Sequence, residues 1–141
     1  MSFEQFKIKT YDLWDLFLHE QQFPYLGRCY AWARREDAQK VTDMSPRETS
    51  ELFEKVIPAW NTAIEKLFQH DWPNVSCLGN TSPHLHWHLI PRYHSPRVFR
   101  NISFVDPNPT GNYAPYPKQE LDVEILQEIK GMIGKELSVF V

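Results

Sequence analysis

Hydrophobic and polar positions alternate most cleanly in His84-Leu85-His86-Trp87-His88-Leu89-Ile90. A period of two belongs to a β-strand with one buried face. It predicts Leu85, Trp87 and Leu89 in the core and three imidazoles projecting from the opposite face. A longer period governs the stretch before it. Leu52, Phe53, Val56, Ile57, Trp60, Ile64, Leu67 and Phe68 recur every three or four positions, as along one face of a helix that runs to about His70. Ser45-Pro46-Arg47-Glu48 supplies its start, with a capping serine, a proline in the first turn and a glutamate three residues after the cap. Pro58 falls inside the pattern and predicts a kink or an interruption.

A second helix is expected over 119–137, with Leu121, Ile125, Leu126, Ile129, Met132, Ile133 and Leu137 as its apolar stripe. Acidic residues near its start and Lys130 and Lys135 near its end suit the helix dipole, while Gly131 and Gly134 weaken its last turns. Residues 26–35 read as a strand whose alternate positions Cys29, Ala31 and Ala33 are small enough to lie close under a helix. A strand over 75–79, the polar turn Asn80-Thr81-Ser82-Pro83 and the histidine strand together predict an antiparallel hairpin. Residues 98–105 are a further candidate strand. Four prolines in 106–117 forbid regular structure there, and a loop of that length tends to be functional or interfacial. The expected fold class is α+β: an antiparallel β-sheet with a long central helix and a C-terminal helix, in a single domain over 1–141.

Composition narrows the partners. With 141 residues the chain can bury a core without staples, and a net charge of −3 excludes a general nucleic-acid or anionic-membrane binder. An anionic small molecule would have to be held by a local cluster. The two cysteines, Cys29 and Cys77, form neither a redox nor a zinc motif. The first residues lack the layout of a signal peptide and no apolar run approaches a membrane span, so a cytoplasmic protein is expected. Nine Phe, six Tyr and five Trp exceed what a small core readily hides, which points to a homodimer.

Histidine gives and takes protons near neutrality and also serves as nucleophile or metal ligand. A strand rise of about 3.3 Å per residue separates the Cα atoms of His84 and His88 by roughly 13 Å. Zinc ligands must lie within roughly 3.5 Å of one another, so the row cannot supply three ligands to one ion. A two-histidine metal site completed from elsewhere stays open, although no second ligand cluster stands out. The alternative is covalent chemistry at phosphorus, in which one imidazole displaces a leaving group and is itself displaced. His86, flanked on both sides, is the natural nucleophile, with His84 and His88 as supporting donors. Asn80, Thr81 and Ser82 lie where their amide, hydroxyls and backbone N–H groups face a phosphate. Arg92, Arg97 and Arg100 follow closely and suggest a local funnel for it.

This constellation resembles the histidine triad family of nucleotide hydrolases and transferases, whose hallmark alternates three histidines with apolar residues and ends in two more. His84-Leu85-His86-Trp87-His88-Leu89-Ile90 matches it throughout. Upstream, Leu26-Gly27-Arg28-Cys29-Tyr30-Ala31-Trp32 and then Thr42-Asp43-Met44-Ser45 look like that family's glycine-containing strand, short loop and capped helix. The resemblance is strongest over 13–100 and weaker across the proline-rich loop 106–118. It implies that His86 attacks the α-phosphorus of a nucleotide and carries the nucleotidyl group until water releases it, without a cofactor. It further implies that Asn80 and Thr81 contact phosphate and that Glu20 contacts ribose. Implied substrates are a diadenosine polyphosphate or an adenosine phosphoramidate. Three departures stand out: Arg28 replaces a fourth histidine of many members and is expected at the substrate, adding positive charge near the phosphates, the 80–84 segment is short, and Trp87 is bulky for its place. A nucleotide-binding sensor or interaction module without turnover is the competing reading.

Overall fold

The computed structural model describes residues 3–138; the two residues before and three after that span of the expected domain lie outside it. Five antiparallel strands form one sheet: β1 (Lys7–Thr10), β2 (Trp14–Leu18), β3 (Cys29–Ala33), β4 (Trp72–Ser76) and β5 (His86–Arg92), in the order β1-β2-β3-β5-β4. The central strand β3 has Cys29, Ala31 and Ala33 on one face, all buried, as their small size predicts. Small side chains let a helix lie close. Its buried face is Leu52, Val56, Trp60, Ile64 and Phe68. Full burial of each large apolar side chain stabilises by about 1.5–3 kcal/mol. The approach is tightest at Gly27, whose φ is +97° and where a Cβ would meet Ile64 Cδ1 at 2.8 Å. The Trp60 indole N–H donates to the Gly27 carbonyl at 3.1 Å, tying helix to sheet at that point.

The helix begins as the sequence predicts. Ser45 Oγ accepts from the Glu48 N–H at 3.1 Å, and Glu48 Oε1 accepts from the Ser45 N–H at 2.8 Å. The Arg35 guanidinium then clasps the buried Glu48 carboxylate at 2.8 and 3.0 Å. Pro58 does interrupt the run. α1 (Pro46–Glu51) passes through a wider π-helical turn at Leu52–Val56 into α2 (Ile57–Phe68), which has the proline in its first turn, where a missing N–H is tolerated.

Several boundaries differ from expectation, each for a local reason. The strand expected over 26–35 shortens to Cys29–Ala33 because Gly27 turns left-handed. The strand expected over 75–79 lies at Trp72–Ser76, and the link to β5 spans 77–85, not a four-residue turn. The strand expected over 98–105 is a hairpin of β6 (Arg97–Phe99) and β7 (Ile102–Phe104). Arg100 and Asn101 turn it with φ of 51° and 63°, which no glycine announces. α3 runs Val123–Leu137, starting later than 119 because Asp122 occupies the N-cap position. Its two glycines are accommodated, Gly134 lying against Ile8. Leu126, Ile129, Ile133 and Leu137 close the core against α2 and β1. Among the described residues no helix is long and apolar enough to cross a membrane.

Candidate active site

The sheet face turned away from the α2 helix carries the chemistry. Pairing sets Tyr30 opposite His88 and Trp32 opposite His86, and on the next strand Phe17 opposite Tyr30. These rings floor an open cavity of about 650 Å³. Its walls come from Phe3 and Glu4, from His19 and Glu20 after β2, from residues 78–82 before β5, and from Tyr113.

His86 is 7% exposed, and its Nδ1 lies 2.6 Å from the carbonyl oxygen of His84. A carbonyl only accepts, so Nδ1 carries the proton and the Nε2 lone pair is left available. In the neutral ring this contact selects the tautomer whose lone pair lies on Nε2. His88 packs edge-on to it, with ring centroids 5.0 Å apart. Burial first, then the Arg28 charge and His86, pushes His88 down to about 4, so it is neutral at pH 7.

His84 departs from the expected row. The strand starts only at His86, because Leu85 is fully buried and its N–H and C=O bond to Ala38 and Ala33. His84 therefore folds over Trp32, stacked at 4.1 Å, and donates from Nε2 to the Ala33 carbonyl at 2.6 Å. Its ring does not line the cavity; its carbonyl does the work of locking His86. Trp87 is half-buried on the helix side, with its N–H on Met44 Sδ and its ring against Phe53.

Glu20, Asn80 and Thr81 lie on the cavity wall as expected. Arg28 does not. It is buried beneath the proline-rich loop, its guanidinium 5.6 Å from the Tyr113 and Tyr116 rings and donating to the Tyr116 hydroxyl at 2.8 Å. Its charge is nonetheless felt by His88 and by His19. Arg92 is likewise no substrate ligand by position. All five of its N–H groups are occupied: two by Asp106 at 2.7 and 3.0 Å, the rest by Asn74 Oδ1 and the Asn108 and Gly111 carbonyls. Arg97 holds the Phe68 and Gln69 carbonyls, and Arg100 pairs with Glu128. The arginines after the histidine strand are therefore struts, not a phosphate funnel.

His19 was not singled out by the sequence. It follows β2 on the same alternate positions as Phe17, and only recognition of that strand would have exposed it. Its ring lies 5.9 Å from that of His88, and its Nδ1 accepts from the Gln21 N–H at 3.0 Å. Among the described residues no group of three or more His, Cys, Asp or Glu side chains is placed to hold a metal ion. Cys29 is a buried free thiol and Cys77 a half-buried one.

The His86 ring, held through Nδ1 by the His84 carbonyl, lies in the lining of an open cavity. Residues 31–95 match the family model of the HIT domain. The fold is shared with solved histidine triad proteins. One from Marinobacter aquaeolei is 22% identical with a TM-score of 0.72, covering 96% of this chain and 90% of that one. One from Bradyrhizobium japonicum is 20% identical with a TM-score of 0.72, covering 93% and 89%. A hypothetical histidine triad nucleotide-binding protein from Sulfolobus tokodaii is 16% identical with a TM-score of 0.71, covering 95% and 84%. No curated protein matches the chain. By motif and by the family model over residues 31–95 the chain resembles the histidine triad family, and its fold is that of solved histidine triad proteins.

Proposed function

We propose that the protein is a nucleoside-phosphate hydrolase or nucleotidyl transferase that works through a nucleotidyl-His86 intermediate. The observation that carries this reading is the 2.6 Å contact between His86 Nδ1 and the His84 carbonyl, which leaves Nε2 as the nucleophile. The Nε2 lone pair forms a bond to the α-phosphorus while the bond to the leaving group breaks and that group takes up a proton. Water then attacks the same phosphorus, the P–N bond breaks, and a nucleoside monophosphate departs. Asn80 and Thr81 contact phosphate oxygens, Glu20 the ribose hydroxyls, and the apolar floor of Phe17, Tyr30 and Trp32 takes the base. Arg28 acts through its field on the histidines and not by contact. The substrate is an adenosine phosphoramidate or a diadenosine polyphosphate, and no cofactor is required.

Mixing the protein with α-labelled nucleotide substrate and quenching rapidly places label on His86, and His86→Ala lowers turnover by at least about a thousandfold. Label on His84 or His88, or full turnover in His86→Ala, overturns the assignment. Nucleotide binding with no turnover by the wild type establishes the sensor reading instead. We further propose a homodimer. The edge strand β4 exposes Trp72 (64%) and Val75 (37%), apolar surface that a second copy would cover. Light scattering reads about twice 16.7 kDa if so, and a single-chain mass if not.

A further inference from the structure

We propose that His19 is a further substrate-contacting residue, presenting its Nε2–H to the transferred phosphoryl group. This rests on the His86 reading above. The backbone N–H of Gln21 donates to His19 Nδ1 at 3.0 Å, so a neutral His19 carries its proton on Nε2. The tautomer is thus the mirror of the one at His86: one imidazole is held as a lone pair, the other as a donor.

Position supports the same role. His19 lies beside His88 at 5.9 Å and is edge-on to Tyr30 at 5.8 Å, within the aromatic floor. With Glu20 it lines both the cavity of His86 and an adjoining cavity of about 480 Å³ that holds Gln21, Tyr116 and Lys118. These two residues are the wall that the cavities share. A substrate whose nucleoside fills the first cavity and whose leaving group reaches toward the second passes its reacting phosphorus across His19. Burial and the Arg28 charge push this imidazole down to about 2, so it stays an uncharged donor at any working pH. A fixed donor aimed where negative charge develops acts at little reorganisation cost.

Two variants separate the ring's two nitrogens. In His19→Asn, the short amide still accepts from the Gln21 N–H but does not reach as far as Nε2. In His19→Gln, the longer amide restores a donor at that reach. His19→Asn lowers kcat about 100-fold with a melting temperature close to wild type, and His19→Gln recovers at least tenfold of that loss. A kcat within threefold of wild type in His19→Asn overturns the proposal. So does an equal loss in both variants accompanied by a lowered melting temperature, which marks a purely structural ring. Imidazole 15N resonances provide a readout independent of turnover. Adenosine monophosphate shifts His19 Nε2 and leaves the remote His70 unmoved; no shift at saturation overturns the contact, even in a protein that turns nothing over.

Discussion

The Arg92–Asp106 pair holds the proline-rich loop to the sheet, and Asp106→Asn tests that directly. The Arg92 side chain is 3% exposed and that of Asp106 is fully buried, so neither charge has water to fall back on. Burial alone would raise the Asp106 carboxyl; hydrogen bonds from Arg92, then the Asn108 N–H, outweigh it and hold the group below the usual carboxylate range. Replacing the carboxylate with an amide leaves a buried guanidinium without a counter-charge, a change that costs about 3–5 kcal/mol. At roughly 4 °C per kcal/mol for a chain of this size, the melting temperature falls by about 12–20 °C. Urea unfolding followed by tryptophan fluorescence gives the free energy directly. The hub makes a second prediction. Because Arg92 also donates to Asn74, Asn108 and Gly111, an apolar pair at 92 and 106 does not restore stability, since three acceptors lose their donor. A loss below about 1 kcal/mol in Asp106→Asn refutes the strut. Unchanged stability with a raised KM would return Arg92 to the substrate.

Gly27→Ala forces a side chain into a left-handed backbone and against Ile64, and lowers stability by about 2–4 kcal/mol in the same urea assay; a loss under 1 kcal/mol means the helix lifts without penalty. Acid sensitivity has a defined window. His88 and His19 have folded pKa values below the usual 6.5, so the unfolded chain binds more protons between pH 6.5 and 4. Their contribution is complete above pH 6.5 and falls with pH, that of His88 as far as about 4 and that of His19 on toward about 2. The urea midpoint accordingly drops between pH 7 and pH 4.5, and His88→Asn flattens the drop; a midpoint constant over that range contradicts the buried neutral imidazoles.

What the chain disclosed of itself follows the range of the forces involved. The capped helix, its apolar face and the small face of β3 were legible because each is a local pattern with one dominant period. The same held for His86 and His88. The displacement of His84 was not legible, because bonds from Leu85 to Ala33 and Ala38, more than forty residues back, decide where the strand begins. β1 and β2 were missed for opposite reasons. Lys7–Thr10 is a polar edge strand, and Trp14–Leu18 is buried at four of its five positions, so neither alternates cleanly. With β2 went His19. The arginines after the triad were misread because a cation beside a candidate phosphate site looks the same in sequence whether its partner is a ligand or Asp106.

The lock on His86 is made within its own strand entry, by a carbonyl two residues upstream. The rest of the cavity lining, by contrast, comes from separate segments, among them Phe3 and Glu4, Glu20, and Tyr113. The lock on His86 and much of the cavity wall therefore belong to different stretches of chain. On the proposed reading, substitutions at Phe3, Glu20 or Tyr113 would retune which ligand enters while the His84 carbonyl still holds His86 by Nδ1, so a lineage can change its diet without reinventing its chemistry.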